Sequence, residues 1–122
     1  MATIKIENLQ KSFADFTAVK NYNRTINNKE FFVLLGPSGC GKTTTLRMIA
    51  GLELPTSGKI YLDKDEVSLL RASERDIAFV FQLFALYPHM NVKNNLAFPL
   101  KMQKYSRAEI KERVMEAAKL LR

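Results

Sequence analysis

The sequence predicts an α/β fold in which a phosphate-binding loop joins a buried strand of a parallel sheet to a helix, behind a small antiparallel β layer. Three observations carry this prediction. Gly36-Pro37-Ser38-Gly39-Cys40-Gly41-Lys42-Thr43 fits the pattern G-x-x-x-x-G-K-[ST] at every constrained position. Ahead of it, Phe31-Phe32-Val33-Leu34-Leu35 is an unbroken apolar run, as expected of a strand covered on both faces. Behind it, Leu46, Ile49 and Ala50 share one helical face, and Gly51 stands where a left-handed C-cap belongs.

Taken in order, Ile4 and Ile6 alternate with polar residues and predict a half-buried strand over residues 3–9, with a turn at Lys11-Ser12-Phe13-Ala14. Phe13 is either a core phenylalanine or an aromatic face on which a purine stacks. Tyr22, Arg24 and Ile26 at period two predict a second, antiparallel strand over 18–27, ending at Asn27-Asn28. In the loop, glycines allow positive φ and close approach to an anion, so that successive N–H groups converge on one phosphate. Lys42 supplies a point charge for the β- and γ-phosphates, the Thr43 hydroxyl suits a Mg²⁺ bridging them, and Thr44 adds a hydroxyl near the α-phosphate. The dipole of the helix that follows faces the same anion.

Pro55-Thr56-Ser57-Gly58 is a turn, and residues 59–63 alternate like a half-exposed strand before the solvated corner Asp63-Lys64-Asp65-Glu66. Ile77-Ala78-Phe79-Val80-Phe81 is a second run apolar enough for a strand buried on both sides. Gln82 closes it. There its amide either meets Mg²⁺ or a water beside the γ-phosphate, or merely ends the strand. Leu83-Phe84-Ala85-Leu86-Tyr87-Pro88-His89-Met90 is apolar and aromatic without helical or strand period, so a partner, or this fold itself, has to cover it. Nothing in the sequence places an acid or nucleophile beside His89, which reads as a surface or contact residue. Asn91 is placed to cap a helix carrying Val92, Leu96 and Leu100, with Pro99 disturbing its end. Ser106-Arg107-Ala108-Glu109 is a capping box, and Ile110, Val114, Ala117, Ala118 and Leu121 form an apolar stripe behind it. No glycine or proline stops this helix at Arg122, so the sequence reads as cut rather than finished.

Composition narrows the function classes. At 122 residues the chain has room for one small domain with a modest core. No apolar run approaches the ~20 residues that cross a bilayer, and the N-terminus has no signal-peptide core, which predicts a cytosolic protein free to dock on a membrane partner. The single cysteine, Cys40, excludes an internal disulfide and a multi-cysteine metal site; it is a small loop side chain or a redox sensor. Of the net charge of +7, residues 101–122 contribute +4, from seven basic and three acidic residues. There Glu109, Lys111, Glu112, Arg113, Glu116 and Lys119 interleave as on a solvated helix face, and no nucleic-acid partner is expected.

Phe13, the loop at 36–43, and Phe81-Gln82 followed by Phe84-Ala85-Leu86-Tyr87-Pro88-His89 stand in the order found in ATP-binding-cassette (ABC) transport ATPases. The chain resembles the N-terminal half of such a subunit over essentially its whole length, and Gly36 through Glu53 with Ala85-Leu86-Tyr87-Pro88-His89 is most similar to the subunits that drive import of sugars, polyols and glycerol phosphate. The resemblance implies a P-loop NTPase (RecA-like) core with an incomplete sheet, divided into an antiparallel β layer (1–30), a P-loop core (31–82), and a Q-loop with the start of a helical subdomain (83–122). It also implies ATP and Mg²⁺ as cofactors, held by Phe13 on the adenine, by Gly36, Pro37, Ser38, Gly39, Cys40, Gly41, Lys42, Thr43 and Thr44 on the phosphates, and by Thr43 and Gln82 on the metal. Lys42 and Gln82 are the catalytic candidates.

The implied partners are transmembrane permease subunits, touched through residues 83–90, and a second ATP-binding subunit, at the cytoplasmic face of the cell membrane. Asn28-Lys29-Glu30 departs from the acidic residue and glycine usual in the family, a change expected to alter only a turn. The family's signature sequence, magnesium-binding aspartate, catalytic glutamate and switch histidine are not in this sequence, so the 122 residues are expected to position and neutralise phosphate without polarising the attacking water. Two other readings remain at this level: a nucleotide-binding module without turnover, and a soluble P-loop ATPase acting on DNA or ribosomes, which predicts nucleic-acid affinity falling steeply with salt.

Overall fold

The alternation of Ile4 and Ile6 starts a strand that runs further than the sequence predicts. In the computed structural model, which describes residues 2–121, β1 is Ile4–Phe13 and β2 is Phe16–Ile26, paired antiparallel from Ile4↔Ile26 to Phe13↔Phe16. The expected turn at 11–14 therefore moves to Ala14-Asp15, and Ala14 takes a φ of 43° there. A register shift between Ile6 and Leu9, with Asn8 at φ 48°, changes the phase of β1 so that both apolar residues are buried. β3 (Ser57–Leu62) pairs antiparallel with the other edge of β1, and the short β4 (Asp65–Glu66) extends the sheet to the order β2-β1-β3-β4. Gly58 in β3 has a φ of 90°, and a Cβ there would stand 2.4 Å from the Asn8 carbonyl oxygen. Only glycine fits that approach.

The helix α1, Lys42–Ile49, packs on this sheet through Met48 and Ile49, which join Ile6, Leu9, Val19, Ile60 and Val67 in the core. The expected inward face is thus rotated: Leu46 is 48% exposed, while Met48 is completely buried. Gly51, at φ 73°, closes the helix as predicted, since its N–H donates to the Met48 carbonyl at 3.2 Å and that of Leu52 to the Arg47 carbonyl at 2.9 Å.

The two apolar runs are not strands. Over 31–35, Phe32 and Leu34 are half-buried while Phe31 and Leu35 are 92% and 84% exposed, so the segment is extended and covered on one side. A central parallel strand takes its hydrogen bonds from neighbours at both edges; the sheet assembled among the described residues is antiparallel and does not include 31–35 or 77–81. In the latter, Ile77 and Phe79 are half-buried and Val80 is 88% exposed.

Apart from Val80 and Phe81, these residues belong to the first of two compact units, Met1–Phe79; the second is Val80–Arg122. In the second, α2 (Val92–Met102) starts at Asn91, whose side chain accepts from the Asn94 N–H at 2.9 Å, and runs through Pro99 to end at Met102. α3 (Arg107–Leu121) starts at the predicted capping box: the Ser106 N–H donates to Glu109 Oε2 at 2.9 Å and the Glu109 N–H to Ser106 Oγ at 3.3 Å. Ile110, Val114 and Ala117 turn inward, while Ala118 is exposed. The side chain of Leu121 lies outside the described residues.

Candidate functional site

The loop that precedes α1 is built around two glycines with positive φ. Gly39 has φ 81° and a Cβ there would meet nothing within 4 Å, so backbone conformation alone requires it. Gly41, at φ 90°, is required twice, because a Cβ would also stand 2.3 Å from the Ala18 carbonyl oxygen. The loop is thereby seated directly on β2. From there α1 begins with no side chain capping its N-terminus and no acidic residue in its first turn. Thr45 bonds back to the Gly41 carbonyl through its N–H at 2.8 Å and its hydroxyl at 2.9 Å, leaving the N–H groups ahead of it without intrahelical acceptors.

The Lys42 ammonium turns into the loop. It donates to the carbonyls of Gly36 and Pro37, each at 2.7 Å, and approaches Cys40 Sγ at 3.6 Å. Gly36 faces the same thiol, since a Cβ there would be 2.6 Å from Cys40 Sγ. Gly36, Pro37, Cys40 and Lys42 therefore form one closed set of contacts around a cation.

Beside it lies a cleft of about 400 Å³ lined by Phe13, Phe16, Ala18, Ser38, Gly39, Gly41, Lys42, Thr43 and Thr44. The fold thus brings the end of β1 to the start of α1. Phe13 is 45% exposed at the wall of this cleft. Phe16, across the Ala14-Asp15 turn, lines it too and is absent from the sequence-based site; the signal for it is the Phe13↔Phe16 pair, which appears only once the hairpin register is known. None of the described residues lining the cleft carries a carboxylate. Gln82 belongs to the second unit, where it is exposed.

Sequence reasoning also misses Arg75. Only 5% exposed, its guanidinium donates to the carbonyls of Met48 (2.6 Å), Ile49 (2.7 Å), Ser68 (3.1 Å) and Leu70 (2.9 Å). It holds the C-terminal end of the helix whose other end faces the cleft, with a charge of the sign that the dipole favours there. Burial pushes its pKa down from the ordinary arginine value.

In the second unit, residues 83–87 are as exposed as a docking loop requires: Leu83 is 88%, Phe84 78% and Leu86 67% exposed. Phe84 and Ala85 both take positive φ, 62° and 48°, which a free loop of these residues would avoid. What holds the segment is Asn95, whose Oδ1 accepts from the Tyr87 N–H at 2.8 Å while its Nδ2 donates to the carbonyls of Tyr87, Met90 and Asn91 at 3.0–3.2 Å. Tyr87 packs against Phe98 with ring centroids 4.6 Å apart and ring planes tilted by 49°, and meets His89 edge-on at 6.0 Å.

A glycine loop entering a helix behind an antiparallel layer defines a P-loop nucleotide-binding fold, and two solved structures share it with this chain. A dimeric bacterial ABC transporter cassette, MJ0796, superposes with a TM-score of 0.85 at 35% identity, over 95% of this chain and 56% of that one. The same cassette in a post-hydrolysis state bound to ADP and Pi gives 0.82. The family model described as "ABC transporter" matches residues 19–122, and the chain belongs to that family. Its relatives include the trehalose/maltose import ATP-binding protein MalK of Thermococcus litoralis, 50% identical over 99% of this chain and 34% of that protein. Another is the spermidine/putrescine import ATP-binding protein PotA of Nitrosomonas eutropha, 53% identical over 96% of this chain and 32% of that protein. The chain spans about a third of the length of these curated relatives.

Proposed function

We propose that this chain is the nucleotide-binding part of an ABC importer subunit, binding ATP with Mg²⁺ and coupling its hydrolysis to solute uptake. The observation that carries the proposal is the cleft in which Phe13, Ser38, Gly39, Gly41, Lys42, Thr43 and Thr44 meet at the start of α1. The free N–H groups of the first helical turn and the dipole behind them suit a polyphosphate. Lys42, now bonded to two loop carbonyls, exchanges them for β- and γ-phosphate oxygens, a stronger charge-assisted contact. The Thr43 hydroxyl fits Mg²⁺, which takes few protein ligands and completes its shell with phosphate oxygens and water. Bound there, the ion neutralises phosphate charge. Phe13 presents its ring to the base, and Gln82 is the candidate for the ion or the water beside the γ-phosphate. With no carboxylate among the described residues of the cleft, the group that polarises the attacking water in the complete subunit comes from outside them.

Uptake needs a membrane partner, and the exposed segment 83–90 is the surface we assign to a permease subunit, at the cytoplasmic face of the membrane. Among the described residues no helix is long and apolar enough to cross a bilayer. The dimeric cassette structure supports a second ATP-binding subunit as the other partner. The 85–89 stretch favours a sugar, polyol or glycerol phosphate as solute, whereas identity does not separate relatives named for sugar import from those named for polyamine import, at 50% and 53%.

The test is ATP·Mg²⁺ affinity of the chain beside Lys42→Ala. Losing a charge-assisted contact of about 1.5–3 kcal/mol should weaken binding roughly 10–100-fold. Equal affinity in the two proteins would refute the phosphate assignment.

A further inference from the structure

Lys11 ties the Phe13 wall of the cleft to the segment after α1 by charge. Its ammonium lies 4.8 Å from the centroid of the Phe13 ring, over the ring face. Two further contacts fix it there: an ion pair to Glu53 Oε1 at 2.6 Å and a hydrogen bond to the Leu54 carbonyl at 2.8 Å. The lysine side chain is 13% exposed and that of Glu53 27%, so the pair is better shielded from water than the open pairs Lys5–Glu7 and Lys59–Glu66. Its anchor, the segment after α1, is itself fastened to β1, since the Thr56 N–H donates to the Gln10 carbonyl at 2.9 Å and the Ser12 N–H to Thr56 Oγ1 at 3.0 Å. Phe13 therefore sits at a strand end held on one side by its pairing to Phe16 and on the other by this cation.

We propose that Lys11, held by Glu53, is a positioning residue for base recognition: it fixes the Phe13 ring at the cleft wall and polarises it for an electron-rich purine. The inference rests on the nucleotide reading above and adds to it which residues set the base preference. An ammonium over one face of an aromatic ring draws π-density toward itself and leaves the opposite face a better partner for a purine. It also removes rotamers that would swing the ring out of the cleft. Neither effect acts on the phosphates, which meet the loop and α1.

The experiment compares ATP with inorganic tripolyphosphate, both with Mg²⁺, on the purified chain by calorimetry. The ratio of the two affinities isolates the nucleoside from the phosphates. Lys11→Met should lower that ratio by up to about fivefold, with one whole cation–π contact as the upper bound because the contact is present with and without nucleotide, and tripolyphosphate affinity should be unchanged. Lys11→Arg should restore it. The decisive variant is the exchange Lys11→Glu/Glu53→Lys, which rebuilds the ion pair but sets a carboxylate over the ring. It should regain thermal stability without regaining the ratio. A ratio recovered together with stability would show that the pair is only structural and overturn the proposal, as would an unchanged ratio in Lys11→Met. Should Lys11→Met melt too early to be titrated, Lys11→Arg and the exchange decide alone. Failure of the underlying reading looks different: the wild-type chain would then bind ATP no better than tripolyphosphate, or Phe13→Ala would leave the ratio intact.

Discussion

Arg75 does at one end of α1 what an anion would do at the other, and the two ends are not equally replaceable. Four carbonyls share its guanidinium inside the fold, and no shorter or single-headed cation spans them. Arg75→Leu should cost about 3 kcal/mol or more, because buried acceptors lose their donor, and Arg75→Lys should recover only part of it. Urea unfolding midpoints at constant slope measure both. Gly41 is as constrained from the opposite side. Gly41→Ala has to place a methyl 2.3 Å from the Ala18 oxygen while keeping φ near 90°, so the loop must lift from β2. The expected outcome is a loss of nucleotide affinity of at least tenfold together with a lower melting temperature, whereas Gly39→Ala, with open space around its Cβ, carries only the conformational cost of roughly 1–2 kcal/mol. Glycine is demanded by the motif at both positions, but only the structure separates a steric reason from a conformational one.

At the scale of elements, those whose information is local are legible in the sequence. The caps at Asn91 and Ser106, the glycine stop at Gly51 and the alternating strands of the β layer are each decided within a few residues, and each forms. The inward face of α1 is not decided that way, because Leu46 and Met48 are both apolar helix formers and only the position of the sheet chooses between them. Phe16 and Arg75 escape sequence reasoning for the same cause, since their roles depend on partners across a hairpin or 26–27 residues away in sequence. The Ser106 box gives a pH test. Hydrogen bonds from Ser106 hold the Glu109 carboxyl below its ordinary value, so the carboxylate's contribution is complete above the usual glutamate range and is lost as the pH falls through the lowered value. Protection factors at the start of α3, taken relative to the intrinsic exchange rate at each pH, should fall as the pH drops below the ordinary glutamate range, and Glu109→Gln should flatten that dependence. The loop at 83–90 depends on one side chain more than on its own sequence. Asn95→Leu removes the acceptor for Tyr87 and the donors for three carbonyls, so protection of the Tyr87 amide should fall at least tenfold while α3 keeps its own.

Across the molecule, what a short sequence cannot state is who covers its apolar segments. The runs at 31–35 and 77–81 read as strands buried on both faces, and that reading concerns their composition, not the origin of their cover. Burial on one side is met inside the first unit through Phe32 and Leu34, with the Arg24 guanidinium 5.1 Å from the Phe32 ring centroid. The opposite side shows Phe31, Val33 and Leu35 in a row, 92%, 53% and 84% exposed. An extended segment with three large apolar side chains on its open side is a template for pairing with another chain. The purified 122-residue chain should therefore associate, with sedimentation coefficients that rise with concentration in the micromolar range. Val33→Lys/Leu35→Glu should shift it toward monomer, and because both side chains already face solvent, the melting temperature should stay within a few degrees. A wild-type chain that sediments as a monomer at every concentration would mean that these residues find their cover within one molecule, in a conformation other than the one described.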